Sequence, residues 1–169
     1  MEKWSTFAVV AGGAAAGLTG LLFVAVSIRI DVIAKSQELR NRAAQTLALF
    51  VTVLFIGILL AIPDQSLWGL GVELAALAVI TGGGLLILDR RARVGPDTRD
   101  ATGHAVALIL DAVAPNAITS ILLLIAGVLL ISGVRAGLDV LVLPVIVALA
   151  GGVTSAWLLL TKIPEQLRP

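Results

Sequence analysis

The sequence predicts an all-α integral membrane protein, a single bundle of about five transmembrane helices. One observation behind this is composition: 59% of the 169 residues are hydrophobic and 14% are charged, whereas a soluble domain carries about 25% charged residues. The other is a series of uncharged apolar runs long enough to cross a hydrocarbon core of about 30 Å. Residues 1–169 are therefore predicted to form one transmembrane domain with no soluble domain.

The apolar runs give the predicted boundaries of the transmembrane helices. Because a helix rises about 1.5 Å per residue, runs of roughly 18 to 24 residues can each cross with modest tilt. The first run is too long for the core of a cleaved signal peptide, so we expect it to be a retained helix. The predicted spans cover residues 5–28, 46–63, 68–88, 117–134 and 140–161.

The distribution of basic residues predicts the orientation in the membrane. Lys and Arg concentrate in cytoplasmic segments of membrane proteins. With the N-terminus outside and the C-terminus inside, only Lys3 and Arg135 of the twelve basic residues lie outside. The cytoplasmic segments then carry the other ten, which are Arg29, Lys35, Arg40, Arg42, Arg90, Arg91, Arg93, Arg99, Lys162 and Arg168.

The first cytoplasmic connection, residues 29–45, is predicted to be helical. Asp31 and Lys35, like Glu38 and Arg42, are four residues apart with the acid first, which is the favourable order for helical ion pairs. One helix of this length cannot both leave the membrane and return to it. The segment therefore either lies along the membrane surface or extends one span and folds back.

The second connection predicts an amphipathic helix at the cytoplasmic surface, at about residues 98–114. Its apolar stripe faces away from a polar face formed by Asp100, His104 and Asp111. These are metal-binding residue types, but positions i, i+4 and i+11 spread over about 16 Å, so we interpret the face as solvated rather than as a metal site. The helix is expected to stop or kink at Pro115. It is either a separate surface helix or a bent extension of the fourth span.

Glu73 is the ionisable residue with the strongest functional claim inside a predicted span. Such residues are candidates for ion or proton sites because a charge is costly in lipid. Glu73 and Asp64 could face a shared outer vestibule that binds a cation or a proton. Alternatively, if Gly69 and Gly71 make the start of the third span irregular, the helix begins near Val72. Glu73 then lies in its first turn, where the helix dipole favours a carboxylate.

Small residues form the other prominent pattern. In span one, they recur at i, i+3, i+4 and i+7 and give a wide, flat helix face, and consecutive glycines occur in spans three and five. Such faces allow helix backbones to approach closely in lipid. The packing partner could be another helix of the same protomer, a second protomer, or the ring of helices around a narrow pore. The residues predicted to pack in this way are Gly13, Ala16, Gly17, Gly20, Gly83 and Gly151.

The first span resembles that of a known group of proteins. Residues 12–27 read GGAAAGLTGLLFVAVS, which is similar to the GGxxxxLTGLxFVAxS-like opening of an uncharacterised family of small bacterial polytopic membrane proteins. The resemblance covers about the first forty residues. It implies a location in the bacterial cytoplasmic (inner) membrane and a role for the glycine face in the fold. It implies no activity and no binding residue.

Composition and motifs also limit the function. The chain has a formal charge of +1, whereas a nucleic-acid-binding protein has a clustered basic surface, so we do not expect nucleic-acid binding. With no cysteine and no Ser–His pair placed for catalysis, we expect no enzyme activity, no cofactor and no metal.

Two hypotheses for the function remain. One is an accessory or scaffold protein that binds itself, a partner helix or anionic lipid at the cytoplasmic face. The alternative is a homo-oligomeric ion channel with an axial pore and an outer-mouth carboxylate.

Overall fold

The structure is a computed structural model that describes residues 2–28, 30–35, 37–93 and 102–161. Side chains are described within these ranges except at residues 2, 3, 32, 35, 38, 85–114 and 159–161. All regular structure in these residues is α-helical, which confirms the predicted all-α class. The helices are α1 (Glu2–Ile28), α2 (Ile30–Lys35), α3 (Gln37–Ala61), α4 (Leu67–Arg93), α5 (Thr102–Ile131) and α6 (Ala136–Thr161).

Four of the described helices are long and apolar enough to cross a membrane, so the chain is a polytopic membrane protein. The apolar part of α5, Pro115–Ile131, is shorter. It coincides with the predicted fourth span up to the turn that begins at Ser132. The four long candidate spans are Trp4–Ile28, Leu39–Ala61, Leu67–Gly84 and Ala136–Leu158.

The second span begins earlier than predicted. Helix α3 starts at Gln37 rather than near residue 46, so residues 37–45 continue the span instead of lying separately on the surface. Of the two alternatives for residues 29–45, an extended and folded-back span is the one found, with the six-residue helix α2 on the return path. Charged residues limited the predicted span because they mark the edge of the lipid core, although a helix can continue through them into water.

The predicted surface helix at 98–114 is not separate from the fourth span. Helix α5 runs from Thr102 to Ile131 without interruption, with Pro115 inside it. Pro115 removes one backbone hydrogen bond, but prolines are tolerated in membrane helices when neighbouring helices pack against them. Here the ring of Pro115 lies against Gly151 of α6. Of the two effects expected of Pro115, the stop is therefore wrong, whereas the kink stays a prediction, and an extension of the fourth span is the alternative found.

The helices pack in the spatial order α1, α3, α6, α5, α4. Helices α3 and α4 also contact each other, but much less extensively than the helices that are adjacent in this order. Trp4, the turn at 62–66 and the start of α6 border common cavities, so they lie at one end of the bundle. We call this the hairpin end, and the end where α1 leads into α2 the α2 end.

A local motif closes α5 at the hairpin end. Gly133 has a φ of 79°, a left-handed conformation that suits glycine. The Val134 N–H donates to the Leu129 carbonyl at 2.9 Å and the Gly133 N–H donates to the Leu130 carbonyl at 3.0 Å. These two bonds form a Schellman motif, which ends the helix and turns the chain into α6.

The interior of the bundle changes character along its length. Toward the hairpin end, the buried side chains are apolar, as at Ile56, Leu74 and Leu123. From the middle toward the α2 end, polar side chains join them; those that are buried are Gln45, Thr46, Thr52, Asn116 and Thr119.

Candidate functional site

One side of α1 packs against α3. The buried residues of α1 are Ala8, Ala11, Ala15 and Leu22. They are separated by three, four and seven residues, which is the spacing of a helix–helix seam. At the centre of this seam, a Cβ built on Gly12 would lie 3.7 Å from the Cα of Gly57. The two backbones are therefore nearly in contact.

The opposite side of α1 is uncovered. Gly13, Ala16, Gly17 and Gly20 are all exposed. A Cβ built on any of the three glycines would find no described atom within 4 Å. We call these four residues the open glycine face. The predicted small-residue stripe is therefore a flat surface of α1 that the described part of the protomer leaves free.

Most other helical glycines are instead pressed against neighbouring helices. A Cβ would lie less than 3.0 Å from another atom at each of six positions, namely Gly57, Gly71, Gly127, Gly137, Gly151 and Gly152. Of the two remaining predicted packing glycines, Gly151 meets Pro115, whereas Gly83 has no described atom within 4 Å of such a Cβ. Among the described helical glycines, those with no atom within 4 Å of such a Cβ are the three of the open glycine face together with Gly83 and Gly84.

Sequence reasoning missed two contacts in which glycine lies against the backbone of a neighbouring helix. Gly57 faces Gly12 across the α1–α3 seam, and Gly71 faces Gly127 across the α4–α5 contact. Gly57 and Gly127 are single glycines within apolar runs. A lone glycine inside a helix carries a cost in helix propensity, and this cost was the available signal that each has a packing role.

Glu73 lies deeper in its helix than the dipole interpretation requires. The Ser66 hydroxyl accepts a hydrogen bond from the Gly69 N–H at 3.0 Å, which caps α4 and starts it at Leu67. The first turn of α4 contains no acidic residue, so the interpretation of Glu73 as a first-turn residue is wrong. Glu73 is half-buried, and its carboxylate accepts a hydrogen bond from the side-chain amide of Gln65.

Asp64 lies in the α3–α4 turn with a φ of 55°, in the left-handed region. Its side chain is exposed and borders a cavity of about 260 Å³ together with Trp4, Gln65 and Leu138. Glu73 does not border this cavity. Gln65 is the residue that connects the two carboxylates, since it follows Asp64 in the chain and bonds Glu73. The shared cation or proton vestibule remains a prediction.

A second cavity, of about 250 Å³, lies where α3 and α4 diverge. We call it the α3–α4 crevice. Its polar side chains are those of Gln45, Thr52, Thr81 and Asn116. The apolar and small residues that complete its lining are Ala48, Val51, Phe55, Leu77, Ile80 and Gly84.

Most of the polar groups near the crevice are satisfied locally. Thr52 donates to the carbonyl of Ala48 at 2.7 Å, and Thr81 donates to that of Leu77 at 2.8 Å, so both hydroxyls bond to their own helix. The Thr119 hydroxyl, one turn beyond Asn116, is buried and has no hydrogen-bond partner among the described residues.

The predicted polar face of Asp100, His104 and Asp111 lies outside the described side chains, and Asp100 outside the described backbone. Among the residues that can be described, no group of three or more His, Cys, Asp or Glu side chains converges as metal ligands would.

Comparisons with known proteins identify no family. No protein-family model matches the chain, and neither a curated protein nor a solved structure matches it significantly. The resemblance of the first span to small bacterial membrane proteins therefore remains a sequence-level expectation. The sequence and fold show a small polytopic membrane protein with four long apolar helices.

Proposed function

We propose that this chain is a non-enzymatic accessory or scaffold protein of the membrane that self-associates through the open glycine face of α1. The single observation that carries this proposal is the contrast between glycines. Six of them are closed off by neighbouring helices, whereas Gly13, Gly17 and Gly20 meet no described atom. A second copy of α1 could approach this face as closely as α3 approaches the other side.

The exposure of α1 supports the same proposal. Only 17% of its most apolar window is buried within the protomer, against 39% for the corresponding windows of α3 and α6. Without a hydrophobic driving force between helices in lipid, association depends on van der Waals contact between closely fitting backbones. Gly13 and Gly17 provide the i, i+4 spacing that permits such contact.

We place the protein in the bacterial cytoplasmic membrane with five spans, α5 supplying the fourth through Pro115–Ile131. The N-terminus lies outside and the C-terminus inside. Two features of the chain support this arrangement. The hairpin end groups Trp4 with both short turns, and ten of the twelve basic residues belong to the other segments under the positive-inside rule.

The proposal is tested by the oligomeric state of Gly17→Leu in lipid nanodiscs, measured by native mass spectrometry. Because no described atom lies within 4 Å of a Cβ at Gly17, the leucine should fit the protomer and block only a neighbouring copy. We expect the wild-type protein to be a dimer or larger and Gly17→Leu to be largely monomeric. Gly83→Leu is the matched control, since Gly83 is also open, and it should assemble like the wild type.

A wild-type protein that is monomeric in nanodiscs would contradict the proposal, as would a Gly17→Leu variant that assembles normally. A closed ring of four or more protomers disrupted by Gly17→Leu would support self-association and favour the channel alternative over the scaffold. In that case, flux through liposomes containing Glu73→Gln would decide whether the outer carboxylate sets ion selectivity.

A further inference from the structure

The α3–α4 crevice has the length of one membrane leaflet. Along α3 it extends from Gln45 to Phe55, and ten helical residues rise about 15 Å. The hydrocarbon core is about 30 Å thick, so the crevice reaches from the α2-end boundary to near the middle of the bilayer. Phe55 and Ile80 on its borders are 48% and 71% exposed. The crevice therefore opens toward lipid rather than toward the core of the bundle.

The polar groups of the crevice are concentrated at its α2 end. Gln45 and Asn116 are each only 9% exposed. The Asn116 amide donates to the backbone carbonyl of Gln45 at 3.4 Å. The side-chain amide of Gln45 has no hydrogen-bond partner among the described residues. This amide borders the crevice, where it can form a hydrogen bond with a polar group of a ligand.

The segment beyond this end, residues 29–42, carries four basic residues against two acidic ones, Asp31 and Glu38, and so has a net positive charge. Arg42 precedes Gln45 by three residues, so both lie on the same side of α3. Arg40 is exposed nearby. The opposite end of the crevice is apolar, with Phe55 and Leu77. From the α2 end inward, the crevice therefore presents a cationic, then a polar, then an apolar environment.

We propose that the α3–α4 crevice is a binding site for one phospholipid with an anionic headgroup, drawn from the leaflet at the α2 end. An acyl chain lies between Val51, Phe55 and Ile80. The glycerol ester groups meet the amides of Gln45 and Asn116. The phosphate lies toward Arg42, and the additional negative charge of the headgroup gives the preference over zwitterionic lipids. This site is independent of the open glycine face, which lies on another helix.

A substitution at Gly84 tests the site specifically. It lines the crevice, and a Cβ placed there meets no described atom within 4 Å. Leucine at this position should therefore fill the crevice without displacing backbone. Gly83 is equally open and does not line the crevice, so Gly83→Leu is the matched control. Both changes place the same side chain at neighbouring positions of α4.

The measurement is native mass spectrometry of the delipidated protein titrated with phosphatidylglycerol and, separately, with phosphatidylcholine of the same acyl chains. We expect the wild type and Gly83→Leu to retain one phosphatidylglycerol each under activation that strips other lipids, and Gly84→Leu to lose it. Arg42→Gln should weaken retention of phosphatidylglycerol about fivefold, since a basic side chain near anionic lipid contributes about 1 kcal/mol. Arg135→Gln, at the hairpin end, should leave retention unchanged.

Equal retention by Gly84→Leu and Gly83→Leu would overturn the site. Equal retention of the two lipids, insensitive to Arg42→Gln, would overturn the preference for an anionic headgroup. If Gly84→Leu does not fold, as judged by circular dichroism, Gln45→Leu replaces it, and this variant should also lose the retained lipid. Because neither change touches α1, failure here would leave the proposed self-association standing.

Discussion

Glycine residues in this protein occur in two distinct environments. At Gly57, a Cβ would lie 2.9 Å from the Cα of Gly12 and 3.0 Å from the carbonyl oxygen of Ala8, both backbone atoms that cannot rotate away. At Gly13, on the other side of α1, such a Cβ would meet no described atom within 4 Å. The same residue type therefore closes one interface and leaves another surface free.

These environments predict opposite effects of one added methyl group. Gly57→Ala should force α1 and α3 apart and lower stability by about 1–3 kcal/mol, as overpacking typically does. Gly13→Ala should leave protomer stability unchanged or slightly raised, because alanine has the better helix propensity. Thermal unfolding of both variants in detergent, where copies are dissociated, measures the difference. Equal melting temperatures would contradict the close α1–α3 contact.

At this scale, the sequence could indicate that small residues matter but not what they face. The i, i+4 spacing of Gly13 and Gly17 identified a flat face, yet the same spacing suits packing within a protomer or between protomers. Only the placement of α3 against Ala8, Ala11 and Gly12 showed which side of α1 was already used. Likewise, the partner of Glu73 is Gln65, whose role depends on the geometry of the turn before α4.

Helix boundaries followed from the sequence where lipid determines them. At the α3–α4 turn, α3 ends at Ala61 and α4 begins at Leu67, each within two residues of the prediction, whereas α5 ends at Ile131 and α6 begins at Ala136, three and four residues before the predicted bounds. Short turns between apolar runs leave little freedom there. At the α2 end, the charged residues are themselves helical. The hydropathy pattern therefore placed the start of the second span near residue 46, whereas α3 starts at Gln37.

The effect of Pro115 on helix α5 is a second feature that the sequence did not predict correctly. Pro115 was expected to stop or kink the helix because it lacks an N–H and its ring crowds the preceding turn. In the bundle, the helix continues through Pro115, and the proline ring lies against Gly151, which has no side chain to occupy that space. The cost of proline in a helix depends on a neighbour more than thirty residues away, which a local pattern cannot represent.

On the scale of the whole molecule, the start of α1 and the two short turns lie at the same end of the bundle, as the sequence predicted. Trp4 and the starts of α4 and α6 meet around the hairpin-end cavities. The order in which the helices pack was not predictable, because all the helices present apolar side chains and these do not select a particular neighbouring helix. The uneven packing leaves α1 attached mainly to α3 and leaves α4 separated from α3 by the crevice.

The proposed orientation predicts which end of the bundle can be reached from outside the cell. The chain has no cysteine, so single cysteines report without background. Ser132→Cys, an exposed conservative change at the hairpin end, should react with a membrane-impermeant thiol reagent in intact cells. Gln37→Cys, exposed at the α2 end, should react only after lysis. The reverse pattern would invert the topology.

Self-association through the open glycine face is tested most directly by oxidative cross-linking of single cysteines in the membrane. Ala16→Cys lies on the face. Val79→Cys lies on α4, is 65% exposed, and sits at a similar depth, about 18 Å from the hairpin end of its helix. We predict that Ala16→Cys forms a covalent dimer, because a disulfide requires Cα atoms within about 7 Å, and that Val79→Cys does not. A dimer at Val79→Cys in place of Ala16→Cys, or no dimer at either, would contradict the proposed role of this face.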